Sequence, residues 1–144
     1  MTTHPIPIPP STGRRPVRKC IYVLWGDGFD ELAAVTAVTM LRQSGYQVKL
    51  VGLRRQPIAG AYGVMLVPEI GLDEALAKAV PFCGLVVPCT EAGWQRLQLE
   101  PRVGQLLARL QANGAHLFVG CQDAPEGPQV ESALDTFIQM TTAT

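Results

Sequence analysis

Cys121 is the residue whose type and position point most directly to chemistry. It closes the apolar run of residues 116–120 in the stretch "HLFVGCQDAPEG", and the carboxyl ends of strands are where open α/β sheets place their sites. A helix N-terminus that follows such a strand stabilises a thiolate. Asp123 opposes thiolate formation because its negative charge lies two residues away. Two interpretations of Cys121 remain open, a nucleophilic thiol and a small residue that closes a strand.

The other cysteines and the histidines do not form a metal-binding pattern. Cys20, Cys83 and Cys89 show no C-x-x-C spacing, and the histidines are His4 and His116. A zinc site needs clustered thiolates or imidazoles, so we expect neither a metal nor another cofactor. Cys20, Cys83 and His116 lie at the starts of apolar runs, where we expect them to pack in the core.

Composition narrows the classes of protein that this chain can belong to. Its 144 residues are 47% hydrophobic and 17% charged with zero formal net charge, which is typical of one soluble globular domain. A neutral chain has no electrostatic attraction to nucleic acid or to an anionic membrane. No apolar run approaches the roughly eighteen residues of a membrane span. There is no secretory signal, so we expect a cytoplasmic protein with free thiols.

Five apolar runs must supply the strands that position Cys121. They are "CIYVLW" (20–25), "QVKLVG" (47–52), "GVMLVP" (63–68), "GLVVP" (84–88) and "AHLFVG" (115–120). These runs are nearly continuous rather than alternating, which is typical of parallel strands that are covered on both faces. Residues 1–18 precede them and are rich in proline and basic residues, which predicts a flexible tail before a single domain at 19–144.

Helical patterns separate the apolar runs. The first, "DELAAVTAVTMLRQSG", predicts a helix with a buried face formed by Leu32, Val35, Val38 and Leu41. Further helices are predicted in "LDEALAKAV", in "EPRVGQLLARLQANG" and in "GPQVESALDTFIQM", the last with Val130, Leu134 and Phe137 on its buried side. Strands that alternate with crossover helices predict an α/β fold, a doubly wound, flavodoxin-like, mainly parallel sheet of about five strands.

Four loops would then carry the functional residues, since sites form at the carboxyl ends of parallel strands. These loops are "WGDGFDE", "VPEIG", "PCTEAGW" and "GCQDAPEG". The first has two glycines but lacks both G-x-G-x-x-G and the lysine of a P-loop. A phosphate site is therefore disfavoured.

The order of these elements resembles the DJ-1/PfpI superfamily, which has the class I glutamine-amidotransferase-like fold. The resemblance runs from about residue 19 to residue 121. It rests on "CIYVLW" leading into "GDGFDELAAVTAVTMLRQSGYQVKLVGL", then on "GVMLVPEIGLDEAL", "PFCGLVVP" and "RVGQLLARLQANGAHLFVGC". Members carry an acidic G-F-E-E-x-E turn, a P-G-G turn after the fourth strand and an A-I-C nucleophile elbow. They are also longer beyond the elbow than this chain.

The resemblance implies a cysteine, a glutamate that hydrogen-bonds it, glycine amides as oxyanion donors and often a histidine. Cys121 matches the elbow cysteine, whereas Ala33 stands at the glutamate position. Cys89 and Thr90 stand where the two glycines would be, and Gln122 stands where many members have a histidine. These departures argue against inherited activity, because catalytic groups act as a unit and losing one costs orders of magnitude in rate.

The fourth and fifth strand ends lie side by side in this fold, which would bring Cys89 close to Cys121. We therefore consider a redox-responsive dithiol, against the alternative of two small apolar residues that fill space. Glu91 and Asp123 border the same mouth as potential ligand-binding carboxylates or as solvated loop residues. Trp94 either caps the pocket or packs, and with Trp25 it could form a partner-binding surface.

The sequence thus favours a binding or assembly module with thiol redox sensitivity, whose partner is another protein or a second copy. The alternative is a cysteine-dependent enzyme of the glyoxalase, deglycase or hydrolase type. In that enzyme Cys121 would be the nucleophile, Asp27, Asp30 or Glu31 would reach it, and amides near Thr90 would bind the oxyanion.

Overall fold

A five-stranded parallel sheet forms the centre of the chain, and the computed structural model describes residues 19–78, 81–121 and 130–143. In the described residues the strands are β1 (Cys20–Trp25), β2 (Gln47–Gly52), β3 (Ile58–Ala59), β4 (Met65–Leu66), β5 (Ile70–Gly71), β6 (Gly84–Val87) and β7 (His116–Val119). The sheet has the order β5-β2-β1-β6-β7 with parallel neighbours throughout, while β3 and β4 form a separate antiparallel pair. The predicted doubly wound α/β fold is confirmed. The predicted tail at residues 1–18 lies outside the described residues.

Five helices cover the two faces of the sheet in the described ranges. They are α1 (Glu31–Gln43), α2 (Leu72–Ala77), α3 (Glu91–Gln98), α4 (Pro101–Ala112) and α5 (Val130–Ala143). One face packs against α2, α3 and α4, with Leu85 and Leu106 fully buried between the layers, and the other packs against α1 and α5. Burying each large apolar side chain contributes about 1.5–3 kcal/mol to folding.

The direction of the chain changes between β1 and β6. From β1 it moves outward to β2 and β5, and it then returns to place β6 on the other side of β1, followed by β7. In such sheets the carboxyl ends on either side of the reversal diverge and leave a crevice. The carboxyl ends of β1, β6 and β7 therefore lie at one edge of the sheet, as the sequence predicted.

Helix α1 buries a different face from the predicted one. Asp30 is its N-cap and accepts a hydrogen bond from the Ala33 amide at 2.9 Å. The buried side is formed by small residues together with Leu41, whereas Leu32 and Val35 are 59% and 50% exposed. The prediction for Leu32 and Val35 is wrong because the alanines let the helix approach the sheet closely, which turns the larger side chains outward.

The third predicted strand is also wrong. Only Met65–Leu66 of residues 63–68 is extended, and it pairs with Ile58–Ala59 in the β3–β4 hairpin rather than with the sheet. The edge strand is instead Ile70–Gly71, which pairs with β2. Val64, Met65 and Val67 are exposed, so this apolar run is a surface feature and not a strand of the sheet interior.

Two further differences concern helices. The loop predicted in "PCTEAGW" is mostly the first turns of α3, since Thr90 caps the helix by accepting a hydrogen bond from the Gly93 amide at 3.1 Å. In α5, Leu134 and Phe137 are buried as predicted. Phe137 contacts Phe118 of β7 edge-on, with ring centroids 5.9 Å apart. The side chain of Val130 lies outside the described residues.

Candidate functional site

The ends of β6 and β7 are joined at one carbonyl group. The Val87 oxygen accepts hydrogen bonds from the Cys89 amide at 3.0 Å and from the Gly120 amide at 3.2 Å. This arrangement places Cys89, after β6, and Cys121, after β7, at neighbouring strand ends. Both thiols are free in the structure, with Cys89 buried and Cys121 half-buried.

Cys89 is a poor nucleophile in this setting. Burial is the main cause that raises the pKa of its thiol to about 12, and the neighbouring Cys121 and Glu91 raise the pKa further, against a smaller opposing effect of Arg96. A thiol with this pKa is almost entirely protonated at neutral pH. The two thiols therefore lie close enough to interact electrostatically, with Cys121 the more accessible of the two.

Two groups near the expected oxyanion site, the Cys89 amide and the Thr90 hydroxyl, are engaged in local structure. The Cys89 amide donates to Val87, and the Thr90 hydroxyl caps α3. Glu91 is the first, exposed residue of that helix, and Trp94 is 7% exposed and packs in the core with Leu97. Main-chain amides bonded within the fold are not free to stabilise charge on a substrate.

The predicted aromatic surface is absent. Trp25 is 1% exposed and stacks on Phe29 with ring centroids 5.3 Å apart. Since Trp94 is buried as well, the two tryptophans lie inside the protein, on opposite sides of the sheet, and present no joint surface to a partner. This expectation failed because both rings are buried in the core.

The two acidic residues that precede Glu31 each have a local partner. Asp27 is exposed and pairs with Arg54 at 3.0 Å, and the hydrogen bond from this guanidinium lowers the pKa of the Asp27 carboxyl. Asp30 caps α1 through its side chain, and its amide donates to the Pro88 carbonyl at 2.9 Å. This last bond ties the loop after β1 to the end of β6.

Glu31 lies in a cradle of main-chain amides. Its buried carboxylate accepts hydrogen bonds at 2.9 Å from the amides of both Tyr62 and Val64. Burial acts to raise the pKa of this carboxyl, but the amides of the surrounding backbone outweigh it, so the pKa lies below its ordinary value. Gly60 leaves the space for the carboxylate, because a Cβ at this position would collide with Glu31.

Of the remaining site positions predicted from the resemblance, the structure describes Ala33 but not Gln122 or Asp123. Ala33, at the position of the expected glutamate, is fully packed in the core on the α1 side of the sheet and presents a methyl group. Gln122 and Asp123 lie outside the described residues. Among the described histidines, cysteines and acidic residues, no group of three could hold a metal ion.

A small cleft with two charged residues in its lining lies at the point where the chain reverses direction. It encloses about 260 Å³ and is lined by Gly26, Asp27, Leu53, Gly93, Arg96 and Leu97. Gly26 fits closely here, since a Cβ would lie 3.0 Å from the side-chain ends of both Leu53 and Leu97. The cleft lies on the α3 side of the sheet, and its charged residues are Asp27 and Arg96.

A larger feature that sequence reasoning missed is an apolar surface on α1 and the hairpin, here called the α1–hairpin face. It consists of Leu32, Val35, Tyr62, Val64, Met65 and Val67, all exposed. A groove of about 160 Å³ joins its two halves, with Val35 on one side and Val67 on the other. The signal in the sequence was Pro68, which directly follows the apolar residues 64–67 and is disfavoured inside a sheet.

Solved structures with the same fold are numerous. A DJ-1 superfamily protein from Salmonella typhimurium is 24% identical with a TM-score of 0.63, and the match covers 70% of this chain and 54% of that one. Drosophila melanogaster DJ-1beta is 20% identical with a TM-score of 0.66, over 85% of this chain and 61% of that one. This chain thus spans little more than half the length of either protein.

A shorter protein matches over nearly its whole length. The ThiJ/PfpI domain protein from Brachyspira murdochii is 14% identical with a TM-score of 0.67, and the match covers 88% of this chain and 97% of that one. At these identities the structures establish the fold alone. The model of the DJ-1/PfpI family matches residues 19–128, which is most of the sequence, and the chain therefore belongs to the DJ-1/PfpI family.

Proposed function

We propose that this DJ-1/PfpI domain is a non-catalytic assembly module that binds a second copy of itself through the α1–hairpin face. The observation that carries the proposal is the concentration of exposed apolar residues. Six of the nine large hydrophobic residues that are exposed in the described ranges belong to this face. Contiguous exposed apolar patches mark interaction sites in soluble proteins.

The α1–hairpin face is held in one conformation before any partner arrives. Glu31 lies beside Leu32 in the chain and bonds the amides of Tyr62 and Val64, so the helix and the hairpin tip are fixed to each other. A preorganised surface loses less conformational entropy when it binds. This favours a permanent interface over an accidental exposure of apolar groups.

A second copy is the partner that suits this surface best. None of the six side chains is charged, and homodimer interfaces are the most apolar class of protein interface. Twofold symmetric dimers are also the commonest oligomers, because the same patch is used on both subunits. A different protein is the alternative occupant, and the experiment below separates the two.

The hydrogen bonds of the candidate catalytic groups support the proposal that the domain is not an enzyme. Ala33 has no carboxylate, and Asp27, Asp30 and Glu31 each hydrogen-bond to groups other than a thiol. An enzyme with a rearranged site would need one of them to leave its partner and activate Cys121. We place the protein in the cytoplasm, where its thiols would remain reduced.

Thiol redox sensitivity would use Cys121 as the point of entry. A peroxide would oxidise the Cys121 thiolate to a sulfenic acid with release of water or an alcohol. Cys89 would then attack that sulfur as its thiolate, with loss of water, to close a disulfide, and its raised pKa makes this second step slow. Peroxide treatment of the folded protein should give a disulfide-linked peptide pair in mass spectrometry. A Cys121 that proceeds to sulfinic acid with Cys89 unmodified would contradict this pairing.

Analytical ultracentrifugation tests the dimer. Wild type should sediment at twice the 15.5 kDa monomer mass, and Val35→Glu and Met65→Glu should each shift it to the monomer. Leu99→Glu is the matched control, because Leu99 is 81% exposed but lies outside the face. A wild-type monomer at high concentration, or equal dissociation of the control, would overturn the second copy as partner. Circular dichroism checks that each variant is folded.

A further inference from the structure

The indole N–H of Trp25 is a buried donor that has no hydrogen-bond partner among the described residues. Trp25 is the last residue of β1 and is 1% exposed, with its ring stacked on Phe29. Buried polar groups in folded proteins are nearly always paired, because an unpaired group has lost its hydration without compensation. The unpaired indole therefore points to an acceptor that is supplied by a bound molecule.

Trp25 forms part of the wall of the groove between α1 and the β3–β4 hairpin. The rest of the lining is aliphatic apart from Thr39, and it includes Val38 of α1, Leu50 of β2 and Leu66 of the hairpin. The groove encloses about 160 Å³, and an apolar cavity of roughly 150 Å³ takes up benzene. Its capacity is therefore about one six-membered ring.

The lining determines which kind of molecule the groove can hold. It contains no charged side chain, so a charged ligand would lose its hydration without gaining an opposite charge. A water molecule would satisfy the indole but leave the aliphatic walls without packing partners. An apolar ring that carries one acceptor atom satisfies the indole and also fills the remaining volume.

We propose that this groove binds a small, neutral and largely apolar molecule, about the size of one six-membered ring, that carries a carbonyl or ether oxygen. The Trp25 Nε1–H donates a hydrogen bond to that oxygen, and the valine and leucine side chains enclose the ring. The site is separate from the two thiols, because Cys89 packs on the other face of the sheet. It goes beyond the proposed dimer, since one chain supplies all of its groups.

The groove is built within one continuous described segment, residues 19–78. It lies beside β2, whereas residues 122–129 connect β7, at the far edge of the sheet, to α5. Residues 1–18 lead into the amino end of β1, while Trp25 lies at its carboxyl end, about 20 Å away along a strand of this length. A bound molecule is therefore better placed than these segments to supply the acceptor.

Nuclear magnetic resonance of the whole 144-residue chain tests the site with cyclohexanone as the probe. Methylenecyclohexane is the matched control, because it has the same shape but no acceptor oxygen. Cyclohexanone should move the indole N–H resonance of Trp25 downfield. The resonance of Trp94 should stay in place, since Trp94 packs on the other face of the sheet. The Trp94→Phe variant assigns the two indole resonances.

Two substitutions separate the hydrogen bond from the volume of the groove. Trp25→Phe keeps an aromatic ring without the N–H, so the affinity for cyclohexanone relative to methylenecyclohexane should fall about tenfold, as expected for one lost hydrogen bond. Val38→Phe should weaken both probes at least about tenfold, because its ring occupies the volume that they need. Leu99→Phe is the distant control on an exposed residue, and circular dichroism checks the fold of each variant.

Three results would overturn this site: no response of the Trp25 indole to either probe, an unchanged affinity ratio in Trp25→Phe, or a downfield indole resonance before any probe is added. The last result would mean that a residue of the protein itself supplies the acceptor. Sedimentation of the same samples keeps the two proposals apart. A wild-type monomer that still binds cyclohexanone would overturn the dimer and support the site.

Discussion

The Glu31 carboxylate and the Tyr62 amide form a hydrogen bond of 2.9 Å between residues 31 positions apart. It joins the first turn of α1 to the tip of the β3–β4 hairpin, and a second bond to the Val64 amide completes the contact. Both elements contribute exposed apolar residues to the same face. This acidic side chain therefore helps to hold the two halves of the proposed interface together, alongside the backbone bonds from Gly28 to Ala59 and from Ala61 to Phe29.

Replacing Glu31 by glutamine should loosen the hairpin and weaken the dimer. Glutamine keeps one acceptor oxygen, but its NH₂ group would face an amide donor. The pKa of Glu31 in the folded state lies below its ordinary value of 4.5, so the stability it contributes is present above that pH. This stability is lost as the pH falls through the folded-state pKa. The difference in thermal midpoint between wild type and Glu31→Gln should shrink below pH 4.5.

Glu91→Gln is the matched control for this pH experiment. Glu91 is also the first residue of a helix, and its side chain makes no hydrogen bond to the described residues. Its substitution should leave the hairpin and the sedimentation behaviour unchanged. An equal loss of stability in both variants would mean that Glu31 acts through the helix dipole and not through the hairpin amides.

Gly60→Ala should destabilise the fold by about 1–3 kcal/mol, because the added methyl group collides with the Glu31 carboxylate. Gly104→Ala serves as the contrast. Gly104 lies inside α4 with open space around it, and alanine there should stabilise by about 0.5–1 kcal/mol. Urea denaturation measures both changes, and a Gly60→Ala variant as stable as wild type would contradict the tight fit.

Most strands of the sheet could be predicted because they are visible in the sequence as apolar runs. Residues 20–25 and 47–52 are β1 and β2 as predicted, since near-continuous apolar runs are required where a strand is covered on both faces. The burial of α1 was not predictable in the same way. Hydrophobic spacing predicted that Leu32 and Val35 would be buried, whereas close packing against the sheet buries the alanines instead. Only the geometry of the sheet decides between these two faces of the helix.

The relative positions of Cys89 and Cys121 could be predicted from the sequence, whereas the hydrogen-bond partners of Glu31 could not. Cys89 and Cys121 do lie at neighbouring strand ends, because strand order follows from topology. The role of Glu31 depends on a hairpin whose tip approaches α1 from 31 residues away in sequence. A contact of that kind leaves no periodic signal, and the acidic residues Asp30 and Glu31 were predicted only as groups that could reach Cys121.

Arg109→Lys should destabilise the protein by about 1–2 kcal/mol. The Arg109 guanidinium donates to three main-chain carbonyls, those of Ala75, Leu76 and Lys78, at 2.7–3.1 Å. These carbonyls lie at the C-terminal end of α2, where helical partners are missing. A lysine ammonium cannot reproduce the planar fork that reaches all three.

Arg54→Lys is the comparison for Arg109→Lys. Arg54 pairs with Asp27 at the surface, with both side chains largely exposed. The Arg54→Lys substitution should therefore change the free energy of unfolding by less than about 0.5 kcal/mol. Thermal and urea unfolding of the two variants should differ clearly. Equal effects would show that the Arg109 contacts do not hold α2 against α4.

Iodoacetamide should label Cys121 well before Cys89. With a pKa of about 12, only about one Cys89 in ten thousand is a thiolate at pH 8, and its side chain is also buried. Mass spectrometry at several pH values measures the two rates separately, and Cys121→Ser should speed the labelling of Cys89 because it removes a like charge. Labelling of Cys89 first would contradict the structural assignment. Fast labelling of Cys121 that persists well below neutral pH would contradict the non-catalytic proposal instead, because it requires a stabilised thiolate of the kind that cysteine-dependent enzymes use.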